Sequence, residues 1–130
     1  IRAGTESGHV GAFWDFLPTA TELAGMKPPD NLDGISFLPT LLGHDSRQKQ
    51  HEYLYWEFAT RGRNSQVVRM GAWKAVRLTP TSATEIYDLS TDVGEERNVA
   101  ARHPDVVARA EALFRSEHTP SQDWPIPELD

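Results

Sequence analysis

Residues 53–89 read Tyr53-Leu54-Tyr55-Trp56-Glu57-Phe58, then a polar connection Thr60-Arg61-Gly62-Arg63-Asn64, then Gln66-Val67-Val68-Arg69-Met70. Gly71-Ala72 leads straight into Trp73-Lys74-Ala75-Val76-Arg77-Leu78, and a Thr/Pro/Ser loop ends in Thr84-Glu85-Ile86-Tyr87-Asp88-Leu89. Four short segments rich in β-branched and aromatic residues, separated by tight connectors, predict an antiparallel meander of four strands. Such a sheet buries one face and needs a second layer to cover it.

The cover is expected further along the chain. Pro104 suits the first position of a helix, and Asp105 favours the positive end of its dipole. Val106, Val107, Ala110, Leu113 and Phe114 then recur at helical spacing. Glu111 and Arg115 form an i, i+4 pair, and Arg115 and His118 lie at the negative end. The fold class that follows is α+β: a four-stranded antiparallel sheet packed against a long C-terminal helix.

Upstream, residues 1–11 are polar and Gly-rich and read as a connector. A helix is predicted within 12–24, with Asp15 as N-cap, Pro18 in the first turn and Gly25 as its stop. Residues 26–34 are turn-rich, and Ser36 is placed to cap a short helix at 37–42 ending before Gly43. Residues 44–52 read as exposed polar chain, and 95–101 as one helical turn. The domain reading is a junction segment over 1–52, a sheet-plus-helix subdomain over 53–118, and an irregular tail over 119–130.

Composition narrows the function. The chain has 130 residues, enough for one domain, and a net charge of −6, which argues against nucleic acid because a phosphate binder wants a basic face. No apolar run approaches the ~18 residues of a membrane span, so no membrane partner is expected. Residues 1–10 lack the apolar core of a signal peptide. There is no cysteine, so disulfides, thiolate metal sites and cysteine nucleophiles are excluded.

Metal-binding patterns fail one by one. Asp30-Asn31-Leu32-Asp33-Gly34 resembles part of a calcium loop, but Pro29 and Thr40 stand where the pattern needs acids. His51-Glu52 begins a zinc-protease motif, yet Tyr55 occupies the second histidine position. The five histidines show no ligand spacing, and most read as surface residues. Asp88, Asp92, Glu95 and Glu96 read as turn and helix-start acids. Trp56 and Trp73 offer rings for stacking on a sugar, but large aromatics in strands mostly fill interiors, and Trp56 reads as core. The basic residues Arg61, Arg63, Arg69, Lys74 and Arg77 read as a solvated sheet edge, or as receivers of an anion such as a sulfate or uronate. From the residues alone the chain is a small acidic α+β domain.

Three stretches add a resemblance. Asp15-Phe16-Leu17-Pro18-Thr19 with Glu22-Leu23-Ala24-Gly25 resembles the D-x-x-P-T-x-x-x-x-A-G helix of the type I sulfatases, in the alkaline-phosphatase-like superfamily. Asp33-Gly34-Ile35-Ser36 with Leu38 and Leu41-Leu42-Gly43 resembles the segment after it. The third stretch comprises Tyr53–Phe58, Val68–Lys74 and Glu85–Ala100, and resembles that family's terminal sheet and turn, with Val93 where proline is usual. The order and spacing of these motifs span about residues 7–115.

The resemblance implies a C-terminal subdomain of a sulfuric ester hydrolase whose larger N-terminal domain is the missing partner. That parent would act on a sulfated glycan or aryl sulfate, using calcium and a formylglycine. None of the family's catalytic residues maps onto this chain: it lacks the C/S-x-P-S-R motif and the calcium-binding acids, so catalytic and metal residues here are none, no cofactor is expected in the chain itself, and the chain alone is predicted to be inactive. By resemblance the parent would be periplasmic or extracellular. The chain would complete the fold and form one wall of the substrate cleft, with Glu57, Arg61, Arg63, Arg69 and Lys74 as candidate substrate contacts. A stand-alone carbohydrate- or protein-binding module is the alternative. The apolar face of Phe13, Trp14, Phe16, Leu17 and Leu23 is expected to pack on the missing domain, and in the isolated chain to promote self-association.

Overall fold

The computed structural model describes residues 1–60, 63–123, 125–126 and 129–130, apart from the side chains of Thr60 and Arg63. The chain divides into two compact units, Ile1–His51 and Glu52–Asp130.

In the first unit a 3-10 turn, Phe13–Asp15, runs into helix α1, Phe16–Leu23, and a short helix α2 spans Leu38–Leu41. Asp15 and Pro18 stand at the predicted start, but Asp15 does not cap α1 with its side chain. Its carboxylate is fully buried and turned elsewhere. Oδ2 accepts the Ala12 amide at 2.7 Å, and Oδ1 accepts the Ile35 amide at 2.8 Å. His51 Nε2 lies 2.8 Å from the same Oδ1. Thr19 Oγ1 donates to the Asp15 carbonyl and accepts the Phe37 amide. The D-x-x-P-T stretch is thus a fastener holding the 34–37 loop against α1. Gly34 is needed there because a Cβ would stand 2.3 Å from the Trp14 carbonyl oxygen, far inside contact distance.

In the second unit strands β1 (Leu54–Thr60), β2 (Arg63–Met70), β3 (Trp73–Arg77) and β4 (Glu85–Asp88) form one sheet in the order β1-β2-β3-β4, all neighbours antiparallel. The β2–β3 turn has only Gly71 and Ala72, and Gly71 takes φ +62°, which a residue with a side chain resists. Helix α3, Pro104–Ser116, covers one face. Val106, Ala110 and Phe114, spaced by four, meet Val68, Met70, Ala75 and Ile86 to make the core. Each large side chain fully buried this way stabilises the unit by about 1.5–3 kcal/mol. The expected α+β arrangement is therefore the one that forms.

The helical turn expected over 95–101 forms later, as a 3-10 turn at Ala100–Arg102. The reason is edge protection. Asn98 Oδ1 accepts the Ile86 amide, and the Val99 amide donates to the Ile86 carbonyl, so this segment pairs with exposed edge groups of β4 instead of coiling. Before it, Asp92 accepts the Glu96 and Arg97 amides, which holds its carboxyl below the usual range. Val93, standing where the family has proline, is 81% exposed and carries no core contact.

Candidate functional site

Strand alternation sorts the sheet residues into two sets. Tyr55, Glu57, Gln66, Val68, Ala75, Arg77 and Ile86 share the face under α3; Trp56, Val67, Arg69, Lys74, Val76 and Tyr87 share the opposite, open face.

A chain of polar contacts runs along the covered face. Gln66 is fully buried, and its side-chain amide reaches both layers. Nε2 donates to the Tyr55 hydroxyl at 2.8 Å and to the Phe114 carbonyl at 3.0 Å. The second bond satisfies one of the end carbonyls that α3 cannot bond internally. Oε1 accepts from the guanidinium of Arg77, through Nε at 3.0 Å and also through a terminal nitrogen. The same guanidinium lies 4.9 Å from the centre of the Phe114 ring, a cation–π contact. The Tyr55 hydroxyl donates to Glu57 Oε2 at 2.5 Å. Burial, then that bond to a carboxylate, raise the Tyr55 phenol well above its ordinary value. His118 completes the row: Nδ1 is 2.8 Å from Glu57 Oε2, and Nε2 is 3.0 Å from Asp130 Oδ1.

The open face carries a shallow depression of about 350 Å³ lined by Trp56, Val67, Arg69, Lys74, Leu89 and Glu95. Arg69 and Lys74 are direct cross-strand neighbours. Lys74 Nζ is paired with Glu95, at 2.6 and 2.7 Å from its two carboxylate oxygens. Arg69 Nε donates to the Gly71 carbonyl at 3.1 Å. Beside them the Tyr87 hydroxyl donates to Glu85 at 2.7 Å, which with burial pushes its phenol up to about 12.

Among the predicted contact residues the structure therefore brings together Arg69 and Lys74 and separates Glu57, which faces the helix. Arg61 lies outside the described residues. Arg63 opens β2 opposite Thr60, and its side chain is likewise outside the description. Two other expectations are corrected. Trp56 is not core: its place in the register puts it on the uncovered face, 37% exposed. The histidines are not mostly surface residues. His51 and His118 keep only 9% of their side chains exposed, because each has a carboxylate to bond, and His103 packs on Trp73 with ring centres 4.6 Å apart. Arg77, expected as a solvated edge residue or anion receiver, lies instead on the covered face against Gln66 and Phe114. His118 reads in sequence as a helix-end charge, and Gln66 and Tyr55 escaped notice because neither sits in a chemical motif. The available signal was Gln66, a polar residue on the same face of β2 as the apolar Val68 and Met70.

Among the described residues no three of His, Asp and Glu converge on a point that would hold a metal ion. No helix among them is long and apolar enough to cross a membrane.

Comparison with known proteins gives a consistent answer. The family described as N-sulphoglucosamine sulphohydrolase, C-terminal, matches residues 1–115. A Delta 4,5-hexuronate-2-O-sulfatase from Bacteroides thetaiotaomicron is 33% identical over 118 residues, which cover 84% of this chain and 24% of that protein. Arylsulfatase K from Bos taurus is 28% identical over 125 residues, covering 89% of this chain and 23% of that protein. The solved structure of a 2-O GAG sulfatase superposes with a TM-score of 0.69 at 30% identity, covering 79% of this chain and 23% of that one. The chain thus spans about a quarter of the length of these relatives.

Proposed function

Since the chain belongs to the family of C-terminal domains of N-sulphoglucosamine sulphohydrolases, we propose that it is the terminal part of a sulfuric ester hydrolase acting on a sulfated glycan. The observation that carries this is the family match over residues 1–115, joined to a length about a quarter of the sulfatases it resembles. In this reading the nucleophile and the metal belong to the preceding domain. The donor set here does not fit either: the chain has no Cys and no Ser in C/S-x-P-S-R, and among the described residues no three of His, Asp and Glu converge on one point. Calcium and formylglycine are accordingly assigned to the parent.

The role of this part is scaffold and cleft wall. On α1 and the turns flanking it, Phe13, Phe16, Leu17, Leu23 and Met26 are 91, 63, 47, 70 and 63% exposed. That is more contiguous apolar surface than a finished domain shows water. The preceding domain is its occupant in this reading; in the isolated chain the same face drives self-association. Trp14, also expected on this face, is half-buried.

Substrate contact is assigned to the open face, where Trp56 offers a ring for stacking on a sugar and Arg69 a guanidinium for an anionic group. Lys74 contributes there once Glu95 yields it. Arg61 and Arg63 remain proposed contacts, while Glu57, bonded to Tyr55 and His118 on the covered face, belongs to the network under α3. A periplasmic or extracellular site of action goes with the reading.

In the full-length enzyme, Arg69→Ala is expected to raise KM for a sulfated oligosaccharide several-fold while kcat changes little, and to leave a small aryl sulfate unaffected. Unchanged kinetics on both substrates would remove Arg69 from the cleft. Tight binding of a sulfated glycan by the isolated chain would favour an autonomous binding module.

A further inference from the structure

We propose that His118 is a protonation-dependent clasp that fastens the C-terminal residues Ile126 and Asp130 to strand β1. A neutral imidazole has one N–H and one lone pair, whereas the imidazolium has two N–H groups. Both ring nitrogens of His118 face carboxylate oxygens, Glu57 Oε2 at 2.8 Å and Asp130 Oδ1 at 3.0 Å. Carboxylates only accept, so a neutral ring would aim a lone pair at one of them. The geometry suits the charged ring, which donates to both.

The other groups around the ring reinforce this. From β1, the Tyr55 hydroxyl donates to the same Glu57 oxygen and keeps that carboxylate in place. From β3, Arg77 is engaged by Gln66 and by the Phe114 ring. From the end of α3, Glu117 is occupied by the Ser116 hydroxyl. From the tail, Asp130 Oδ2 accepts the Ile126 amide at 2.8 Å, and Ile126 is 1% exposed. The clasp therefore runs Glu57–His118–Asp130–Ile126, joining residues 61 apart in sequence at its first bond.

Burial disfavours the charged ring, but the two carboxylate bonds outweigh it and the proton affinity of His118 is raised above its ordinary 6.5. A group raised on folding contributes its full stabilisation below its unfolded value and loses it as the pH climbs through the folded one. The clasp is whole in acid and opens toward alkaline pH.

The test is amide exchange of Ile126 in the 130-residue chain, corrected for the intrinsic rate, together with the NMR titration of His118, from about pH 5 to about pH 9. The expected result is a titration above the ordinary imidazole value, and protection of Ile126 that falls about tenfold for each unit by which the carboxylates raise the ring. Asp130→Asn should move the titration down and flatten the pH dependence. His118→Gln should show low protection at every pH, while the Val68 and Ile86 amides in the sheet stay protected in both variants. Protection of Ile126 that ignores pH, or a pH dependence unchanged by Asp130→Asn, would overturn the clasp.

Discussion

The two faces of the sheet use similar residues to opposite ends. Under α3, a tyrosine, a glutamate, a glutamine and an arginine are locked into one another and into the helix end. On the open face, Lys74 is paired with Glu95 and Arg69 with the Gly71 carbonyl, next to the partly exposed Trp56. The difference lies in desolvation. Polar groups shut away from water must find partners within the fold, so the covered face is saturated. Polar groups beside water can exchange a protein partner for a ligand, so the open face keeps the capacity to bind. Richness in polar side chains thus marks structure on one side, and on the other the face to which we assign recognition.

The sharpest way to break this contrast is to empty the covered side. Phe114→Ala removes the ring that fills the core and lies against Arg77, and should destabilise the second unit by about 3–5 kcal/mol in denaturant unfolding. A loss near the size of a surface substitution would mean that α3 does not seal this face.

Gln66→Leu comes next. It keeps the volume but leaves the Phe114 carbonyl, the Tyr55 hydroxyl and the Arg77 guanidinium short of a partner, and should cost about 1–3 kcal/mol. A double-mutant cycle with Tyr55→Phe measures whether these bonds act as one network; strict additivity would show that they do not.

The smallest effect belongs to the open side. Lys74→Ala breaks the pair with Glu95, whose side chains are about a third exposed, and should change stability by less than about 1 kcal/mol. Its consequence should appear in ligand affinity instead. A large loss of stability from Lys74→Ala would place the open face with the covered one and undo the distinction.

Much of this arrangement was readable in order along the chain. The aromatic, β-forming run Tyr53–Phe58, the Gly71-Ala72 connector, and Pro104 before the helical spacing of Val106, Ala110 and Phe114 are local signals, and each element formed where its signal lay. The site was less legible. Glu57, Arg69 and Lys74 form one group by residue type and by position on hairpins, yet the pleat sends Glu57 to one face and the two cations to the other. Trp56 misled for the same reason: aromatic content says that a strand packs, while the register decides which face it packs with. His118 gave no signal, since its meaning depends on Glu57, 61 residues earlier, and Asp130, 12 residues later.

The sequence by itself determined the elements, the α+β class and the family, because propensity, periodicity and turn chemistry act between residues a few positions apart. Only the tertiary structure decided which carboxylate meets which histidine, that Asp15 would fasten a loop instead of capping α1, and that Trp56 would face water. Those outcomes depend on contacts between distant segments, whose strength is set by burial and by the partners that burial brings within bonding distance.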